Sequence, residues 1–212
     1  MPVQMSFPMS YQQLSLGYLH YEDLILRAAK SKNRVEQLSL LLGCFLLYTA
    51  NSAKLIKKPF NSLLGETFDF AHGETRVFSE QISHHPPKSA FYIENPEYVM
   101  ESLFFVEMKM GWTCLDTSHK GYQKIYIKSL REWFLIENPN MQVRNLIWGK
   151  KYIRLMGRIQ IRSLKNKDRA FVEYNTDAQD PEFVRGKVVI NNETAAKLSG
   201  RKTGKIFLTP QN

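Results

Sequence analysis

Apolar residues recur at helical spacing in two stretches of this chain, both before residue 55. Within 34–50, Val35, Leu38, Leu41, Leu42, Phe45 and Leu46 fall on one stripe, the 3.6-residue period of a helix that buries one side. Asn51-Ser52-Ala53 ends it. Residues 11–30 show a second apolar spacing, compatible with one or two amphipathic helices. A leucine stripe of this kind is core packing, so no chemistry is assigned to it.

From Glu66 onward the period changes to two. Short runs at 67–70, 75–82, 89–93, 102–108, 123–128, 132–136, 143–148, 153–161 and 170–174 are rich in aromatic and β-branched residues and partly alternate, which predicts strands. Breakers separate them, among them His72-Gly73, Asn95-Pro96, Lys120-Gly121, Asn138-Pro139-Asn140 and Gly149. Many short strands with little helix between them predict a sandwich or barrel. The fold class is therefore mainly β with N-terminal helices (α+β). One domain over 1–212 is expected: a helical segment at 1–55, strands at 56–190 and a basic tail at 191–212.

Composition agrees. The 212 residues are 43% hydrophobic, 12% aromatic and 23% charged, values of a folded domain with a sizeable core. Two isolated cysteines, Cys44 and Cys114, argue against a disulfide scaffold and fit a reducing, cytoplasmic compartment. The first ten residues lack a signal-peptide pattern. The most apolar window, 38–48, is too short to span a bilayer. Residues 1–119 hold ten Lys and Arg against twelve Asp and Glu, whereas 120–212 hold nineteen against eight. The net charge of +9 thus lies in the second half, which attracts polyanions. No nucleic-acid-binding pattern accompanies it, so an anionic membrane surface is the expected partner.

The candidate chemistry sits in Glu80-Gln81-Ile82-Ser83-His84-His85-Pro86-Pro87. Pro86 biases His85 toward extended geometry, and two prolines stop a central strand. Neighbouring side chains on a strand face opposite ways. For His84 and His85 to serve one ligand, the backbone must twist at this corner, and the prolines can hold it there. Read locally, the pair is also compatible with an ordinary surface loop or one hydrogen-bonded buried ring. A metal site lacks further ligands at zinc spacing, since His20, His72 and His119 stand apart. Ser83 beside His84 lacks a nucleophile elbow.

This octapeptide resembles the fingerprint of the oxysterol-binding protein family of lipid-transfer proteins. A second block, Lys57-Lys58-Pro59-Phe60-Asn61-Ser62-Leu63-Leu64-Gly65-Glu66-Thr67-Phe68, resembles the family's upstream motif, with Ser62 where proline is usual. The resemblance runs from about residue 5 to about residue 175 and is weaker over 99–122. It implies a large antiparallel β-barrel around an apolar tunnel and binding without catalysis or cofactor. The implied function is exchange of phosphatidylinositol 4-phosphate and a sterol or another lipid between membranes, by a monomer peripheral to them. Lys58, Asn61, His84 and His85 would hold the head group, and Glu66 is a candidate partner of Lys58. A full family domain is roughly twice this length. The chain shows neither the family's C-terminal Lys-x-x-x-Glu-x-x-x-Arg helix nor more than about ten residues before the first helix, where the family has a lid. The expected barrel is therefore incomplete, and a regulatory, non-transferring fragment is the alternative. A metal-dependent hydrolase using the His pair is the more distant one.

Overall fold

Three helices and sixteen strands follow in a computed structural model that describes residues 6–175, 177 and 179–211. Of the first ten residues, which carry neither a signal-peptide pattern nor a full-length lid, residues 1–5 lie outside the described residues. Strand β1 (Ser6–Ser10) leads into helix α1 (Tyr11–Ser15), which Ser10 and Gln13 start with a capping box. A 3₁₀ turn, Gly17–Tyr21, leads to α2 (Glu22–Lys30) and α3 (Arg34–Ser52). Asn33 caps α3 by accepting a hydrogen bond from the Glu36 N–H, which satisfies an otherwise orphaned donor. The expected stripe is buried: Leu38, Leu41, Leu42 and Phe45 are no more than 2% exposed.

Fourteen of the sixteen strands form one large antiparallel sheet. Its main path joins β3 (Thr67–His72), β4 (Thr75–His84), β5 (Pro87–Glu94), β6 (Tyr98–Met110), β8 (Tyr122–Ile127) and β9 (Glu132–Glu137), then β12 (Arg158–Ser163), β13 (Arg169–Glu173), β14 (Phe183–Ile190), β15 (Glu193–Arg201) and β16 (Ile206–Pro210). Strand β6 branches. Its first half pairs with β8, and its second half pairs with β7 (Cys114–His119), which continues to β10 (Asn140–Arg144) and β11 (Tyr152–Met156). The inner face carries Val77, Phe91, Met100, Ile125, Phe134 and Ile161, all buried in one core with the helices. Among the described residues β3 and β16 have one partner each, so the sheet does not close.

Three sequence expectations need correction. The 191–212 segment is not a tail: it contributes β15 and β16, joined to β14 through Asn191 and Asn192 at φ of 51° and 70°. Two left-handed residues are what a two-residue hairpin turn requires, and Asn tolerates them. The run 153–161 is two strands, broken at Gly157 with a φ of 81°, where the chain leaves its pairing with β10 and takes up pairing with β9. Residues 145–148 leave the strand expected at 143–148 and form a hairpin tip beyond β10, exposed at Ile147 and Trp148. A short strand that the alternation does not predict, β2 (Lys58–Phe60), lies parallel to β1.

Arg34 fastens the helices to the sheet. Its guanidinium donates twice to Glu132, at 3.0 and 2.8 Å, and once to Asp168 at 2.9 Å. Both carboxylates are buried, and their hydrogen bonds and charges offset the desolvation of the guanidinium and raise its pKa.

Candidate functional site: a histidine corner at the end of β4

The corner is built by an inward row of β4 that ends in polar residues. Thr75, Val77, Ser79 and Gln81 alternate inward and are each no more than 1% exposed. After Gln81 the pairing with β5 slips by one residue, so that Ser83 faces Lys88 and His84 faces Pro87. Ile82 is left outward. Such an irregularity re-aims the side chains that follow it. The His85–Pro86 bond is cis, and the two imidazoles lie together with ring centres 4.6 Å apart at 69°. The two rings thus lie side by side at the end of β4.

The loop 61–66 is zipped onto this strand. The Gly65 N–H donates to the Gln81 carbonyl at 2.8 Å, and the Gln81 N–H donates to the Glu66 carbonyl at 3.0 Å. Gly65 turns the loop with a φ of 76°, open to glycine without strain. The zipper brings Asn61 beside His84: Asn61 Nδ2 lies 3.4 Å from His84 Nδ1, and the Ser62 carbonyl lies 3.1 Å from the same nitrogen. A neutral ring nitrogen either donates or accepts. A carbonyl oxygen only accepts, so the 3.1 Å contact has Nδ1 donating to Ser62 O and leaves Nε2 as the ring's second nitrogen.

The structure therefore brings Asn61, His84 and His85 together. Lys58 stands three residues before Asn61 on β2, exposed and without an ion pair among the described residues. Glu66 is not its partner. The Glu66 carboxylate accepts from the Leu63 N–H at 2.8 Å and closes its own turn.

Two buried glutamines escaped the sequence reading. Gln81 donates to Asn61 Oδ1 at 3.3 Å and to the Ser83 carbonyl at 2.8 Å, while accepting from Ser89 Oγ. Gln12 of α1 donates to the Glu66 carbonyl at 3.1 Å and accepts from Ser79 Oγ at 2.7 Å. Gln81 had a signal: it is the polar end of a period-2 inward row. Gln12 had none, because nothing local links α1 to β4.

A cleft of about 290 Å³ opens between β6, β8 and β9, lined by Phe104, His119, Gln123, Ile136 and Asn138 among others. Gln123 and Ser102 are cross-strand partners on the buried face. Gln123 Oε1 accepts from Asn138 Nδ2 at 3.2 Å, but Gln123 Nε2 and Ser102 Oγ have no partner among the described residues. No cluster of metal-ligating side chains occurs among the described residues.

The architecture is that of known sterol- and phosphoinositide-binding domains. The chain superposes over its whole length on 53% of the Osh1 ORD domain solved with cholesterol, with a TM-score of 0.89 and 27% identity. The ergosterol complex of that domain gives 0.90 at the same identity and coverage. The Saccharomyces cerevisiae Osh3 ORD solved with PI(4)P shares the fold, with a TM-score of 0.85 at 22% identity over 97% of this chain and 57% of that one. The model of the oxysterol-binding protein family matches residues 1–212, and the chain belongs to that family. The match includes the segment beyond residue 175, where motif resemblance fades. Rat oxysterol-binding protein-related protein 1 is 29% identical over 82% of this chain and 19% of its own length. Mouse oxysterol-binding protein-related protein 5 is 27% identical over 97% of this chain and 25% of its own. The chain thus spans about half of the solved domains and a quarter or less of these curated relatives. The family binds lipids and is not one of enzymes, which sets the hydrolase alternative aside.

Proposed function

We propose that this chain binds one lipid at a time and exchanges phosphatidylinositol 4-phosphate for a sterol, as a monomer peripheral to cytoplasmic membrane surfaces. The observation that carries the reading is the His84–His85 pair, turned to one side and backed by Asn61. A phosphomonoester near neutral pH carries close to two charges. Beside such a dianion an imidazole favours its protonated form, and His84, already donating from Nδ1, then donates to phosphate from Nε2. Each charge-assisted bond contributes about 1.5–3 kcal/mol. His85 supplies a second ring, Asn61 an amide, and Lys58 on β2 an ammonium without an ion pair among the described residues. The acyl chains, or a sterol in their place, occupy the apolar inner face of the sheet. Gln123 Nε2, without a partner among the described residues, is the donor that a sterol hydroxyl would accept from.

The residue ranges keep the same roles in this reading: 1–55 as the helical segment and 56–190, now continued by β15 and β16, as the lipid-holding sheet. Native mass spectrometry after incubation with liposomes of phosphatidylcholine, phosphatidylinositol 4-phosphate and cholesterol tests the proposal. One bound phosphoinositide or one bound sterol per chain, never both, is the expected result. A folded chain that emerges without lipid supports the regulatory, non-transferring alternative.

A further inference from the structure

We infer that the adjacent tips of the β6–β7 and β10–β11 hairpins form a wedge that enters an anionic bilayer leaflet. The inference deepens the lipid-handling reading by naming the surface that meets the membrane. Trp112 and Trp148 are 92% and 81% exposed, and Met110 and Ile147 are 75% and 59% exposed. The third tryptophan, Trp133, instead packs against Tyr126 and under Lys124. The two tips are held, not loose. The Gly111 N–H donates to the Cys114 carbonyl at 2.8 Å and closes the first turn. Asn145, at a φ of 61°, donates from Nδ2 to the Lys150 carbonyl at 3.1 Å and closes the second. The Leu146 N–H donates to the Thr113 carbonyl at 3.1 Å and ties one tip to the other, continuing the Arg144–Cys114 pairing of β10 with β7.

Charge selects the occupant. Lys109, Arg144, Lys150 and Lys151 flank the four apolar residues, and no acidic residue occurs between Glu107 and Asp116 or between Glu137 and Asp168. Tryptophan, with an apolar body and one N–H, favours the head-group level of a bilayer. Lysines just outside it interact with anionic lipid heads and fade within a Debye length. Apolar residues on narrow turns, collared by cations, suit insertion among lipids better than the broad, flat complementarity of a protein interface.

The test uses the 212-residue chain with Trp133→Phe, which leaves the two tip tryptophans as reporters. Vesicles of phosphatidylcholine with phosphatidylserine should shift their emission to the blue, and brominated acyl chains should quench it, whereas phosphatidylcholine alone should do neither at physiological salt. By sedimentation, Trp112→Ala with Trp148→Ala should weaken vesicle binding on the order of tenfold or more, with circular dichroism and lipid loading unchanged. Lys150→Gln with Lys151→Gln should weaken binding and flatten its salt dependence. Unweakened binding by the double alanine variant overturns the proposal. So does a blue shift that appears without vesicles and grows with protein concentration, which assigns the tips to a second copy of the chain. A chain that binds vesicles through these tips but never loads lipid leaves the wedge standing and removes the exchange reading.

Discussion

His84 Nδ1 donates to the Ser62 carbonyl at 3.1 Å, which fastens the ring to the 61–66 loop and leaves its other nitrogen for the head group that the proposal places there. Gln81 acts through Asn61 and is a positioning residue. Gln81→Leu should lower phosphoinositide affinity by about fivefold, one lost hydrogen bond, without removing binding, measured by liposome titration. Ser62 stands where the family usually has proline, and its buried Oγ has no partner among the described residues. Ser62→Ala should therefore stabilise the chain by about 1 kcal/mol, read as a raised urea midpoint at unchanged m. Burial lowers the pKa of His119. The unfolded chain takes up this proton near pH 6.5 while the folded ring does not. Stability is then unaffected above that pH and falls as the pH drops below it. Urea midpoints measured from pH 7.5 downward (~7.5 and ~5.5 bracket the ordinary histidine range) should fall less for His119→Gln than for the parent chain.

At the scale of elements, the site depends on contacts distant in sequence. The 61–66 loop is held by β4, and α1 is held by both through Gln12. Helix α3 is held to β9 and the β12–β13 turn by Arg34. Arg34→Met leaves Glu132 and Asp168 buried without their cation and should cost about 3 kcal/mol, measured by chemical denaturation. The same distinction explains what could be read from the sequence. Helix α3, the β-rich class and the histidine corner were legible because each is written locally, in a stripe, in alternation or in a proline-stopped motif. Strand β7 was missed because Cys114–His119 alternates weakly, and long β6 supplies its pairing. Gly157 and Asn191-Asn192 were legible as turns only in hindsight. A glycine inside an apolar run resembles continuous strand, and Asn192-Glu193-Thr194 is formally a glycosylation sequon. The parallel β1–β2 pair joins segments about fifty residues apart, and no local pattern announces it.

Across the whole molecule, helices α1–α3 fill one side of a curved, open sheet, and the family fold is retained over the full 212 residues. No helix of the described residues is long and apolar enough to cross a membrane. Cys44 is free and buried, with its thiol pKa pushed upward by burial, and Cys114 is free as well. Residues 120–212 carry both the charge surplus and the β10–β11 tip with Trp148. The central claim is that His84 and His85 receive a phosphoinositide head group while the sheet shelters its chains. Extraction of labelled phosphatidylinositol 4-phosphate from liposomes, by the parent chain beside His84→Ala/His85→Ala, tests it most directly. The account predicts that the parent chain extracts the lipid and that the folded double variant does not. Equal extraction by both, or none by either while both remain folded and monomeric, would contradict it.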